Sequence, residues 1–295
     1  MKIKPFWAIL LVIVLMWVGN YIYAEKHKLK HPIFLNHYLD LNADYEQYIP
    51  FYFITNKEDT SFIQTVELGS VRGMPDQFRG DNGIEEMEQF GRYSLKRVYI
   101  QFNPETYVTS SETKKFDKMT VYFSENRTTN YPIGQIVFQP EKEERNPLSF
   151  KSGSSGEYTE TRLVVTEALA LESVSTAFDD ALQDRFHIKL QNANSNETVQ
   201  PNPVIENDEW NKVTGSDVRE VNFPLHLDKK DWLTVKSYAD PSLHAAMDVK
   251  INLSGTTETG KPFTAQVGHL QYEPDLTKDS IQQIIDERME VAHHE

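Results

Sequence analysis

"VYFSENRTTNYPIGQIVFQPE", residues 121–141, carries two runs of aromatic and β-branched residues on either side of the polar segment ENRTTN, and its second run stops at Pro140. Alternation around a polar turn is the signature of a β-hairpin, and a proline that cannot donate to a ladder ends the second strand. The stretch "INLSGTTETGKPFTAQVGHLQYEPD", residues 251–275, repeats the pattern. Val121, Phe123, Ser124, Thr129 and Pro132 match Ile251, Leu253, Ser254, Thr259 and Pro262 at one constant offset. After a four-residue insertion, Ile136, Phe138, Pro140 and Glu141 match Leu270, Tyr272, Pro274 and Asp275. The repeat predicts a tandem of two related β units.

Outward from these hairpins the chain keeps the same texture, short runs of aromatic and β-branched residues bounded by Gly, Pro, Asn and Asp. "IPFYFIT" (49–55), "FIQTVELGSV" (62–71) and "LKRVYIQF" (95–102) read as strands, as do "TRLVVT" (161–166) and "DWLTVKSY" (231–238). Helical periodicity is sparse. Thr176 and Asp179 cap a predicted helix with Phe178, Ala181, Leu182 and Phe186 on its apolar face. "DSIQQIIDERMEVA" (279–292) has Asp279 and Gln282 as a capping box and Ile281, Ile284, Ile285 and Met289 on one stripe, and "NGIEEMEQF" (82–90) reads as a short third helix. "EKEERNPLSFKSGSSGE" (141–157) passes from charge to Ser and Gly, which is linker composition.

The expected fold class is therefore mainly β: an N-terminal transmembrane helix followed by two antiparallel β-sandwich-like domains with a few short helices, including a C-terminal amphipathic helix. The expected division is 1–30 for the membrane anchor and its basic juxtamembrane segment, 31–145 for the first β domain, 146–157 for the linker and 158–295 for the second β domain. Residues 192–217 read as a long polar loop inserted in the second unit.

The anchor rests on "FWAILLVIVLMWV" (6–18), wholly apolar and continued by "GNYIYA" with Asn20 as its one clearly polar member. At about 1.5 Å per residue, a helix from Phe6 to Ala24 covers roughly 30 Å, the hydrocarbon thickness of a bilayer. Lys2 and Lys4 also suit the start of a cleaved signal peptide, but Ile22 is not small and Tyr21 and Tyr23 crowd a cut after Ala24. Trp7 at one end and Trp17, Tyr21 and Tyr23 at the other fit interfacial aromatic belts, which favours a retained anchor. Lys26, Lys28 and Lys30, with His27 and His31, then meet lipid headgroups. Basic residues flank the helix almost equally. The signal-like start and the lack of cysteine place the large C-terminal region outside, giving a single-pass cell-membrane protein of a bacterial-type envelope.

The net charge of −14 opposes nucleic acid as a partner, since neutralising phosphates takes a clustered face of Lys and Arg. With no cysteine there are no disulfides, thiolate zinc sites, Fe–S clusters or Cys nucleophiles. No G-x-S-x-G elbow, P-loop, H-E-x-x-H or dinucleotide fingerprint occurs, and no cofactor or metal is expected. His31, His37 and Asp40 in "HPIFLNHYLD" would need one bent strand to share an ion, since His31 and His37 stand about 20 Å apart when extended; the segment reads as a polar edge strand. Glu290 and His294 lack a third ligand, and "RGDNGIEEME" lacks calcium-loop spacing.

"YEQYIPFYF" (45–53) is the most distinctive recognition feature, with Tyr45, Tyr48 and Tyr52 as candidate binding residues. The competing reading is that alternate residues fill the core while the tyrosines cover an edge. The leading function is non-catalytic, binding or assembly with a membrane or envelope protein partner, with membrane lipid held through the N-terminal helix. The alternative is an envelope hydrolase acting on carbohydrate through a pair of carboxylates that sequence cannot single out.

Overall fold

The computed structural model describes residues 3–43, 47–102, 113–124, 126–140, 146–155, 158–193 and 210–292. Helix α1 (Ile3–Lys26) leads into β1 (Ile33–Phe34), β2 (Asn36–Asn42), β3 (Gln47–Asn56), β4 (Ile63–Leu68), β5 (Val71–Pro75), β6 (Ile84–Phe90), β7 (Tyr93–Phe102), β8 (Lys114–Phe123) and β9 (Thr128–Gln139). Then come β10 (Leu148–Ser155), β11 (Thr159–Val165), β12 (Leu169–Ser175), α2 (Asp179–Leu182), β13 (Phe186–Ala193) and β14 (Ser216–Asp217). The chain finishes with β15 (Leu225–Leu227), β16 (Trp232–Ala239), β17 (Ala245–Thr257), β18 (Pro262–Tyr272) and α3 (Lys278–Ala292). The protein is mainly β, with two sheets, few helices and one apolar N-terminal helix.

Both hairpins of the repeat form, as β8–β9 and β17–β18. They close alike: Phe123 N–H donates to Arg127 O and Thr257 N–H donates to Lys261 O, each at 2.9 Å. That alignment of the turns equates Phe123 with Thr257, so the later of the two sequence offsets is the structural one. The matches of Thr129 with Thr259 and Pro132 with Pro262 do not survive, because Thr129 lies in a strand and Thr259 in a turn.

The larger sheet runs β1-β3-β7-β5-β4-β8-β9-β2-β17-β12-β15, with β18 beside β17 and β6 beside β7; the smaller runs β10-β11-β16-β13-β14. Residues from β1 to β9, among them Phe51, Val66, Ile100, Val121 and Ile136, surround one core, so the first half of the larger sheet curls about its own interior instead of stacking on a second sheet. In the second half Leu163, Leu190 and Val235 of the smaller sheet face Leu171, Val249 and Leu253 of the larger across a sandwich core. A third cluster lies under α3, where Ile281, Ile284 and Ile285 cover Tyr52, Ile54, Leu95 and Ala246.

Strand β2 is not a polar edge. It sits centrally, parallel to both β9 and β17, so the larger sheet is mixed and not purely antiparallel. His37, Leu39, Asp40 and Leu41 are all buried, and a strand covered on both faces loses the alternation by which an edge is recognised. The chain over 82–90 is a turn at 82–83 followed by strand β6, and not helix. Gly91, at φ 68°, permits a two-residue turn between paired Phe90 and Tyr93, and the ladder with β7 overrides the helical preference of the glutamates. The expected linker holds β10, an edge strand whose exposed Ser and Gly mimic linker composition because that edge has little to bury. "FIQTVELGSV" folds as parts of two strands, reversing at Gly69 (φ 57°). Helix α2 is a single turn, and α3 is capped two residues earlier than expected: Ser280 N–H donates to Thr277 Oγ1 at 3.2 Å and Thr277 N–H to Ser280 Oγ at 2.7 Å.

Candidate functional site

Strand β3 divides its side chains between two environments. Phe51 and Phe53 enter the curled core, while Tyr48, Pro50, Tyr52 and Ile54 take the other face. On that face Tyr52 is 1% exposed beneath α3, whereas Tyr48 is 47% exposed. Alternate residues thus fill the core, and of these two tyrosines Tyr48 alone reaches the surface. Both tyrosines line one cleft of about 280 Å³, where β3 meets Asp248 of β17, Gln271 and Tyr272 of β18, and Glu273. Tyr45 lies outside the described residues.

Arg97 of β7 sets the electrostatics beside the cleft. Its guanidinium bonds Glu85 at 2.8 Å and Glu273 at 3.2 Å and lies over the rings of Tyr99 and Tyr52, 4.9 and 5.9 Å from their centroids. The Tyr52 hydroxyl is buried with no hydrogen-bond partner of good geometry. Burial pushes its pKa up to about 12, with Arg97 pulling the other way. A phenol held neutral offers aromatic contact and hydrogen-bond donation. Glu85 and Glu273 are thus both held by the one Arg97 guanidinium.

A second polar group lies beside the cleft. Buried Asp40 accepts from Gln139 Nε2 at 2.9 Å and stands 3.9 Å from Lys250 Nζ, while its Oδ2 has no hydrogen-bond partner among the described residues. Desolvation raises its pKa against the pull of Lys250 and Gln139. The hydrogen bond from His269 to Asp248, 2.5 Å long, raises the histidine's pKa.

The histidines of the first strand segment do not converge. His31 is exposed, and His37 has both ring nitrogens engaged: Nδ1–H donates to Leu35 O at 2.8 Å, and Nε2 accepts from Tyr52 N–H at 3.0 Å. That pairing requires the neutral ring, and burial drives its pKa down to about 3. Among the described residues no group of three His, Asp or Glu is placed to hold a metal ion. His294 lies outside the described residues.

Helix α1 offers a different surface. None of the apolar window Ile9–Lys26 is buried by the rest of the chain, and Trp17 is 76% exposed. Its end is nevertheless clamped to the β body. Arg92 Nη1 donates to Ala24 O at 3.3 Å with its guanidinium over the Tyr23 ring, and Tyr93 Oη donates to His27 O at 2.7 Å. The Asn56 side chain then bonds both backbone groups of buried Leu29, at 3.0 and 2.7 Å. Sequence reasoning missed Arg97 and Glu273 as cleft residues and Asn56 and Arg92 as the clamp. The one available signal was the charged pair Lys96 and Arg97 within a β-branched and aromatic strand run.

No family model matches the chain, and no curated protein sequence matches it. Among solved structures, the collagen-binding domain of the surface protein RspB of Erysipelothrix rhusiopathiae is similar over 82% of this chain and 92% of its own length, at 9% sequence identity. The TM-score is 0.24, too low to carry an argument about fold or ligand.

Proposed function

We propose that this protein is a membrane-anchored, non-catalytic binding or assembly protein of a bacterial-type cell envelope, its N-terminus inside and its β body outside, acting on a membrane or envelope protein. The observation that carries the reading is the pairing of an unburied apolar helix with a clamp at its exit. An apolar surface of that length is costly in water and satisfied in lipid. The clamp leaves little slack, so the β body rides close to the bilayer. Tethering raises the effective concentration of a partner confined to the same membrane, and a modest contact then suffices. In this reading residues 31–145 and 158–295 are two β units, and the partner meets the cleft of Tyr48 and Tyr52.

The test places a photo-crosslinking amino acid at position 48 in cells, in the native chain and in one whose residues 1–24 are replaced by an efficiently cleaved signal. The native chain is expected to give a discrete membrane-protein adduct that the released form loses. An equal adduct from released protein at matched abundance refutes the tethered reading. Mass spectrometry of the mature native chain checks the anchor itself, and a chain beginning at Glu25 ends that part of the proposal.

A further inference from the structure

A separate cavity of about 180 Å³ lies between α3, the turn 241–243 and the start of β2. Its lining is mostly polar, with Arg185, Arg288, His244, Ser242, Asn36 and Gln283 the groups that matter. In a chain of net charge −14, two guanidiniums converge here, yet neither has a carboxylate within ion-pair distance among the described residues. Glu287 stands exposed at the rim, and the nearby Asp240 carboxylate accepts from Ser242 N–H at 2.9 Å. Asn36 Oδ1 accepts from Arg288 Nη2 at 2.9 Å, which fixes the orientation of that fork. His244 is held in the left-handed region (φ 44°, ψ 41°), and its Nδ1 is buried with no hydrogen-bond partner among the described residues. Desolvation pulls the Arg288 pKa below its ordinary value, a burden that an anion in the cavity would relieve.

From this convergence we infer that the cavity binds one small oxyanion group, a phosphate or a carboxylate, between Arg185 and Arg288 with His244 Nδ1–H as a third donor. The site is distinct from the tyrosine cleft and does not depend on the proposed function. Guanidinium forks match the paired oxygens of such anions, and a half-buried fork loses less to solvent screening than a surface lysine does.

The test uses the full chain in uncharged detergent, with calorimetric titration of inorganic phosphate and, separately, acetate at constant ionic strength. Saturable binding of at least one anion at one site is expected. Arg185→Gln, an exposed change, should weaken it several-fold, and Arg185→Gln with Arg288→Gln at least tenfold, with thermal unfolding checking that both variants are folded. Competition by phosphatidylglycerol vesicles, but not phosphatidylcholine vesicles, would identify a lipid headgroup as the source. Lack of competition would identify a soluble anion. Absence of saturable heat with both anions, or undiminished affinity in a folded double variant, overturns the inference.

Discussion

His37 ties β2 to β3 only while its ring is neutral, which makes acid stability a direct probe of that junction. In the unfolded chain the ring titrates near its ordinary 6.5, and in the fold burial holds it at about 3. A depressed folded pKa contributes stability that is complete above 6.5 and is lost as pH falls toward 3. Between pH 7 and 4.5 the unfolded state gains almost one full proton that the folded state refuses. The mismatch is worth about 2.5 kcal/mol, at about 1.36 kcal/mol for each tenfold difference in proton affinity. His37→Gln removes the titration. It also disturbs the bonds to Leu35 O and Tyr52 N–H, which should cost about 2 kcal/mol at pH 7. Urea unfolding of the full chain in uncharged detergent, at both pH values, gives the comparison. The variant should be less stable at pH 7, and the gap should close or reverse by pH 4.5. Asp40, whose pKa is raised, titrates in both proteins and drops out of the difference. An unchanged gap at the two pH values would refute the reasoning.

Three further outcomes are expected. Gly134→Ala forces a side chain onto a backbone at φ 81° and within 2.7 Å of His37 O and should lower stability by about 2 kcal/mol, read from the urea midpoint; a neutral result means that β2 and β9 are not in this register. Ile285→Ala empties a site 1% exposed under α3 and should cost about 3 kcal/mol while speeding proteolytic release of the C-terminal helix, and unaltered release would place the helix elsewhere. If residues 31–145 and 158–295 are separate β units, brief proteolysis should nick first along the exposed end of β10, near 153–155; an earliest cut within 95–140 would overturn that division.

Strands whose neighbours lie close in sequence were legible as alternation. The two hairpins are local, so turn residues and periodicity specify them, and α3 shows its stripe because only one of its faces is buried. What escaped was non-local. His37 and Asp40 read as polar edge residues because their partners, Tyr52, Lys250 and Gln139, are brought to them by a curl that no single segment encodes. The glutamates of 85–88 suggest a helix until Arg97 and Ser94 on the neighbouring strand are in place to pair with Glu85 and Glu86. Of the cleft, Tyr48 and Tyr52 were legible because a spacing of four puts them on one face, whereas Glu273 arrives from the far end of the chain.

The central position of β2 has a consequence for how the molecule is made. The strand follows α1 after a short connection and precedes β9 and β17 in the chain, yet it pairs in parallel with both, one on each side. Parallel neighbours so distant in the chain cannot be supplied by a local turn, and such closures are slow. Until β17 is synthesised, one side of β2 is an open row of backbone donors and acceptors, the kind of edge that recruits foreign strands. Strand β2 is thus made well before it is sealed, and the interval between those events is the period in which a chaperone would have the most to protect.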